Sequence, residues 1–235
     1  MLATMLPALM ILVGMVLLVL PVWASFYVCS GIYLKAHCRG KTGEKQIALT
    51  FDDGPHKDHT STVLDILKTH HIKAAFFLIG ENIIHHENMV RRIVEEGHII
   101  GNHSYTHAST FGFFSKKKVL ADLQKNALLI KDVTGKEVNL FRPPFGVTNP
   151  HIGRAARFLD YTVVGWSIRS LDTMGKSPGK IIKRVIKRLK PGAVILFHDN
   201  HGDIAQILEE VIAKAAEEGY EFVSPEVLLN INAYK

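Results

Sequence analysis

The segment Gln46-Ile47-Ala48-Leu49-Thr50-Phe51-Asp52-Asp53-Gly54-Pro55 sets a run of strand length against an abrupt polar stop. Gln46–Phe51 is short, apolar and rich in strand formers, and Asp-Asp-Gly-Pro supplies turn chemistry together with two carboxylates. Similar short runs recur at Ala74–Ile79, His98–Gly101, Val138–Phe141, Tyr161–Trp166, Ala193–Phe197 and Glu221–Val223. Longer amphipathic stretches fit between them as helices: Ser61–His71, Ile83–Glu96, Ser115–Thr134, Pro150–Leu159, Ser177–Leu189 and Asp203–Glu218. Ser115 and Ser177 stand at N-cap positions, and Gly135 and Gly219 where helices commonly stop. Strands alternating with helices imply an α/β fold with a parallel sheet covered by helices. Seven such strands suit a small barrel or an open doubly wound sheet, and periodicity does not choose between them.

Composition divides the chain in two. Of 235 residues, 47% are hydrophobic and 21% charged, with a formal net charge of +6. None of the 28 basic or 22 acidic residues lies between Met1 and Leu34. This excludes a disordered, collagenous or polytopic membrane chain and leaves one apolar leader ahead of one globular domain. Residues 1–34 are read as a single transmembrane anchor, most apolar over Met5–Val22, with Trp23, Tyr27 and Tyr33 as an interfacial belt. A secretory signal is the rival reading. Val22-Trp23-Ala24 could be cleaved, but no basic residue precedes it, and cleavage would expose the apolar stretch Ser25–Leu34. Residues 35–45 are expected to be a linker and 46–235 the globular domain. Cys29 and Cys38 fall in or beside the anchor, so the globular part has no thiol for a nucleophile or a disulfide scaffold.

Unusual polar residues follow the C-terminal ends of the predicted strands: Asp52 and Asp53, then His103 and His107, Arg142, Asp172, and finally His198 and Asp199. In parallel α/β folds that edge is where sites are built. Asp52-Asp53 taken alone is equally a turn or a site. His103 and His107 are spaced to share one face of a helical turn and hold one metal ion, with Asp53 as an oxygen ligand. The adjacent pairs His70-His71 and His85-His86 lack ligand spacing and read as solvated faces. Phe141-Arg142-Pro143-Pro144-Phe145-Gly146 is a rigid loop that could aim a guanidinium at Asp52. His198, at the end of a buried strand, suits a general acid oriented by Asp172.

In order, Thr50–Pro55, His103–His107, Arg142–Gly146, Trp166–Asp172 and Leu196–Asp199 resemble the five signatures of the polysaccharide deacetylases of carbohydrate esterase family 4, over roughly Gln46 to Ser224. The resemblance implies a distorted (β/α)7 barrel and hydrolysis of an N-acetyl group from an N-acetylglucosamine-containing glycan. It implies that Asp53, His103 and His107 hold a divalent metal, Zn²⁺ by expectation, with Co²⁺, Mn²⁺ or Ni²⁺ as substitutes. Asp52 would be the base for the attacking water, steadied by Arg142, and His198 the acid for the leaving amine, tuned by Asp172. The Tyr105 backbone N–H would be an oxyanion donor. Pro144 and Phe145 in the loop, with Trp166 and Leu196, would shape the substrate pocket. One departure stands out: the family's Asp-Trp pair is Asp172-Thr173 here, and Arg169 could contact Asp172 instead.

Other readings are a silent glycan-binding module, which needs no acid–base pair, and a metal hydrolase acting on a different O- or N-acyl group. Lys116-Lys117-Lys118 and the cluster Lys183, Arg184, Lys187, Arg188 and Lys190 carry no nucleic-acid motif. They read as solvated faces or as attraction to anionic lipid or cell-wall polymer, and no nucleic-acid partner is expected. The flanking Lys35, Arg39, Lys41 and Lys45 favour a cytoplasmic domain, whereas the implied polymer favours an extracytoplasmic one. The substrate outweighs the charge bias. The expectation is therefore a single-pass membrane protein with a monomeric catalytic domain outside.

Overall fold

The computed structural model describes Met10 and residues 18–235. Nine short strands form one sheet: β1 (Ala36–His37), β2 (Gln46–Asp52), β3 (Ala75–Leu78), β4 (Ile99–Asn102), β5 (Leu140–Phe141), β6 (Thr162–Val164), β7 (Ile168–Arg169), β8 (Ala193–His198) and β9 (Glu221–Phe222). Their order is β1-β6-β5-β4-β3-β2-β8-β7, with β9 beside β2, and every pairing is parallel. The helices are α1 (His59–Thr69), α2 (Gly80–Ile83), α3 (Glu87–Glu95), α4 (Lys116–Thr134), α5 (Pro150–Phe158), α6 (Pro178–Ile186), α7 (Ile204–Glu217) and α8 (Pro225–Leu229). Ser115 caps α4 through its hydroxyl and Gly135 ends it in the left-handed region, as the sequence suggests, whereas Ser177 makes no side-chain cap.

The sheet curls. β6 and β7 stand near opposite ends of the strand order, yet only Gly165, Trp166 and Ser167 separate them. So few residues span at most roughly 14 Å, so the two edges must approach each other. The segment after β1 closes the gap: Ala36 and His37 pair with β6, and Arg39 bridges Ala193 at the start of β8. The result is a curled parallel sheet whose edges meet through a single bridge.

Alternation along the strands sorts the core into two faces. Ile47, Leu49, Phe51, Phe76, Ile195 and Phe197 pack outward with residues of the covering helices. Ala48, Ala75, Phe77, Ile99, Leu140, Val164 and Val194 form the interior, joined by Leu228 and Leu229 of α8. Stepping two residues along each strand from this interior layer leads from Ala48 to Thr50 and Asp52, from Ile99 to His103, from Leu140 to Arg142, and from Val194 to Leu196 and His198. The candidate site is therefore the top layer of the sheet's interior.

The anchor and linker do not keep their expected bounds within the described residues. Residues 18–26 are helical, but Ala24, Val28 and Leu34 are buried against the domain. Thr148 binds the carbonyls of Ala24 and Ser25, each at 2.8 Å, and Arg157 binds that of Tyr33 at 2.9 Å. A disulfide joins Cys29 to Cys38, with Cα atoms 6.1 Å apart, against Gly165. Residues 24–40 are thus part of the fold, because their apolar side chains and carbonyls find partners at the sheet's seam. No helix among the described residues is long and apolar enough to cross a membrane, and most of Met5–Val22 lies outside the described residues.

Candidate active site

Asp52 is the last residue of β2, and Arg142 directly follows β5. Arg142 is fully buried. Its Nη1 donates to Asp52 Oδ1 at 2.7 Å and to Thr50 Oγ1 at 3.0 Å, Nε to the Val164 carbonyl at 3.0 Å, and Nη2 to the Gly165 carbonyl at 2.9 Å. The guanidinium also lies 4.1 Å from the centre of the Phe77 ring. Burial pushes its pKa down, opposed by the Asp52 charge. With four of its five N–H donors engaged, Arg142 is fixed in place and holds Asp52 in one orientation.

Asp53, in the left-handed region at φ 73°, turns away from the strand. Its Oδ1 lies 3.5 Å from His103 Nε2 and 3.3 Å from His107 Nε2. One ligand atom from each of these three residues falls within 4.8 Å of the others. The chemistry of the donors fits a metal ion. His103 Nδ1 sits 2.8 Å from the Arg142 carbonyl, which can only accept, so Nδ1 carries a hydrogen and Nε2 is the nitrogen that faces Asp53. Burial, with the His103 charge, pushes His107 down to about 4, which leaves it neutral. Burial would raise the Asp53 carboxyl, but its hydrogen bond to His103 and the histidine charges hold it at about 2. Two imidazole nitrogens and one carboxylate oxygen converging at this spacing suit a divalent cation.

The two histidines do not share a helical turn. They belong to a loop in which Ser104 (φ 69°) and His107 (φ 46°) are left-handed. The loop is fastened from α4: Asp122 accepts from Tyr105 N at 2.7 Å and from Thr106 Oγ1 at 2.7 Å, and Asn126 Nδ2 donates to the Ser104 carbonyl at 2.9 Å. The Tyr105 N–H is thereby committed to Asp122 and is not free to act as an oxyanion donor, which corrects the expectation for Tyr105.

His198 ends β8. Its Nδ1 lies 2.8 Å from Asp172 Oδ1, and its backbone N–H donates to Asp172 Oδ2 at 2.8 Å. Burial would lower the His198 pKa, but the Asp172 hydrogen bond and charge raise it. Asp172 is held well below the usual carboxylate range, because the His198 and His201 contacts outweigh burial. The second neighbour of Asp172 is His201, whose Nε2 is 3.3 Å from Oδ2. No hydrogen bond or ion pair joins Arg169 to Asp172 among the described residues, and the exposed Arg169 lines the cavity.

These groups surround one cavity of about 140 Å³, lined by Asp52, Asp53, His103, His107, Phe145, Gly146, Trp166, Arg169, Thr173, Leu196 and His198. Phe145 (φ 59°) and Gly146 (φ 69°) make the bend over it, and a Cβ on Gly146 would collide with the Trp166 ring. Pro144 is buried beneath this loop and Asp172 behind His198, so neither forms the wall. Sequence reasoning missed Asp122 and His201. Asp122 was signalled by a carboxylate among Val119, Leu123 and Ile130 on the buried face of α4. His201 lies in the loop after β8 and carries no comparable signal.

A cluster fit for a metal, a carboxylate fixed by a guanidinium and an imidazole fixed by a carboxylate, all facing one cavity, are the equipment of a metal-assisted hydrolase. The model of the polysaccharide deacetylase family matches residues 39–164, and the chain belongs to that family. It is 35% identical to the peptidoglycan-N-acetylglucosamine deacetylase PgdA of Listeria monocytogenes, over 84% of this chain and 41% of that protein. The chain thus spans about two fifths of the length of that relative. It is 34% identical to the peptidoglycan-N-acetylmuramic acid deacetylase PdaA of Bacillus subtilis, over 81% of this chain and 73% of that one. The crystal structure of the Bc1960 peptidoglycan N-acetylglucosamine deacetylase superposes with a TM-score of 0.79 at 31% identity, covering 84% of this chain and 94% of that one.

Proposed function

We propose that the protein removes N-acetyl groups from an N-acetylglucosamine-containing polysaccharide, by hydrolysis assisted by a divalent metal. The observation that carries this reading is the convergence on one small cavity of the Asp52–Arg142 pair and the Asp172–His198 pair, brought together because Asp52 and His198 are register partners on the adjacent strands β2 and β8, with Asp53, His103 and His107 lining the same cavity. A silent binding module has no use for two separately oriented proton-handling groups.

A divalent ion held by Asp53, His103 and His107, with Zn²⁺ the expected species, would supply Lewis acidity toward the acyl oxygen and the attacking water. Asp52 accepts the water's proton. Its Oδ1 is occupied by Arg142, which leaves Oδ2, the oxygen nearest His103, to take it. His198 gives a proton to the departing amine from Nε2, since Nδ1 is engaged by Asp172. The Phe145 N–H bonds to no backbone carbonyl among the described residues and stands at the cavity wall, which makes it the donor available to a developing oxyanion. Trp166 and Leu196 bound the space for the acetyl methyl.

Anchoring and location belong to the same proposal. Leu18, Val19, Val22, Trp23 and Phe26 stay exposed on the leading helix, which supports insertion of that segment into a membrane. The Cys29–Cys38 disulfide supports an oxidising, extracytoplasmic compartment for the catalytic domain. The domain needs no second copy to complete its cavity, in keeping with a monomer.

The test is acetate release from N-acetylglucosamine oligomers by the full chain in detergent. Release should stop on chelation, return with Zn²⁺, and be nearly abolished by Asp52→Asn. Release that survives both treatments would sink the mechanism, and no release from any N-acetylated glycan would sink the activity.

A further inference from the structure

A second cleft, of about 410 Å³, lies beside the catalytic cavity and shares Trp166 and Arg169 with it. Four arginines reach it: Arg39 from the segment closing the seam, Arg169 from the end of β7, Arg184 from the last turn of α6 and Arg188 from the turn after it. None of the four takes part in an ion pair among the described residues, and the remaining residues contain no acidic side chain. Arg184 Nε donates to the Arg169 carbonyl at 2.9 Å, which fixes one arginine against the backbone of another. The Arg184 guanidinium is pushed down by burial and by the neighbouring Arg188 and Arg169 charges. Like charges gathered without a counter-charge cost free energy that an anion would recover.

We propose that Arg39, Arg169, Arg184 and Arg188 form a subsite for a negatively charged substituent, a carboxylate or phosphate, on the glycan strand whose acetylated sugar fills the catalytic cavity. The proposal rests on the deacetylase reading above and names the class of its substrate: an anionic glycan in preference to a neutral one. The shared wall carries the choice of ligand. A strand leaving the cavity past Trp166 and Arg169 enters this cleft directly, and the Tyr27 side chain in the cleft offers a face for a sugar ring. Arg184 and Arg188 stand outside the catalytic cavity, so they would act on binding and not on chemistry.

The test compares two oligosaccharides of equal length, one of neutral N-acetylglucosamine and one bearing a lactyl carboxylate on alternate sugars. They are assayed with the full chain and with the double variant Arg184→Gln, Arg188→Gln. KM for the acidic oligomer should rise about tenfold in the variant with kcat unchanged, KM for the neutral oligomer should stay put, and high salt should erase the wild-type preference. Equal effects on both oligomers, or none, would overturn the subsite. Calorimetric binding of both oligomers to the Asp52→Asn chain separates this outcome from failure of the activity. If no acetate is released, the deacetylase reading falls, and a binding preference for the acidic oligomer that the arginine substitutions remove still supports the subsite. Absence of that preference overturns it. Loss of binding to phosphatidylglycerol vesicles, with oligomer binding unchanged, would also overturn it and assign the arginines to a lipid headgroup.

Discussion

Nδ1 of His198 lies 2.8 Å from Oδ1 of Asp172, while the other carboxylate oxygen accepts the backbone N–H of the same histidine at 2.8 Å. The carboxylate therefore grips both the ring and the main chain of one residue. This leaves Nε2 as the only nitrogen free for proton transfer and fixes its direction.

Asp172→Asn should lower kcat by about 10²- to 10⁴-fold. It should also move the pH profile in a definite sense. His198 acts as an acid, so the rate falls as pH rises through its pKa. Asp172 raises that pKa against burial, and without its charge burial prevails, so the basic limb should shift to lower pH. The measurement is kcat/KM against pH. An unmoved basic limb would assign that limb to a different group.

Arg142→Met should cost about 3–5 kcal/mol of stability, because it strands the buried Asp52 and leaves the Val164 and Gly165 carbonyls without their donors. Denaturant unfolding of the variant reads this directly. A loss within about 1 kcal/mol would mean that Asp52 finds water or protonates at little cost.

Asp122→Ala touches no cavity residue, yet it should weaken Zn²⁺ binding by about 10- to 100-fold, since it releases the loop that carries His103 and His107. Isothermal titration of the metal-free protein gives the affinity. Unchanged affinity would show that Asn126 alone secures the loop.

Replacing Cys29 and Cys38 by serine should reduce stability by about 2–3 kcal/mol and speed amide exchange across residues 24–40. Treating the wild-type protein with a reductant should reproduce the same exchange pattern. Exchange confined to residues before Ala24 would show that the segment is held by its hydrogen bonds alone.

The strand ends were legible in the sequence because short continuous apolar runs and the abrupt polar stops after them are local signals. They led to Asp52, His103, Arg142 and His198 in one layer, with Asp53 in the turn beside it. The path of the loop after His103 was not legible. An i, i+4 histidine pair suggests a helix, and only Asp122 and Asn126, brought in by α4, impose the left-handed turns found instead. The same long-range contact removed Tyr105 from the donors. β1 was missed because it falls in the stretch 35–45 read as a linker, and β7 because it follows β6 after only three residues, with no turn or helix to set it apart from the run ending at Trp166. The boundary at Leu34 was drawn on charge alone, and charge does not report the burial of Ala24, Val28 and Leu34 against the domain.

The three residues joining β6 to β7 begin with Gly165, whose carbonyl, with that of Val164, anchors the Arg142 guanidinium. The place where the curled sheet is closed and the place where the base is aimed are consequently one joint. Any breathing of the sheet at that edge would withdraw two acceptors from the guanidinium and loosen its hold on Asp52. The fold can tolerate variation in its outer loops, but its catalytic geometry is only as steady as its last seam.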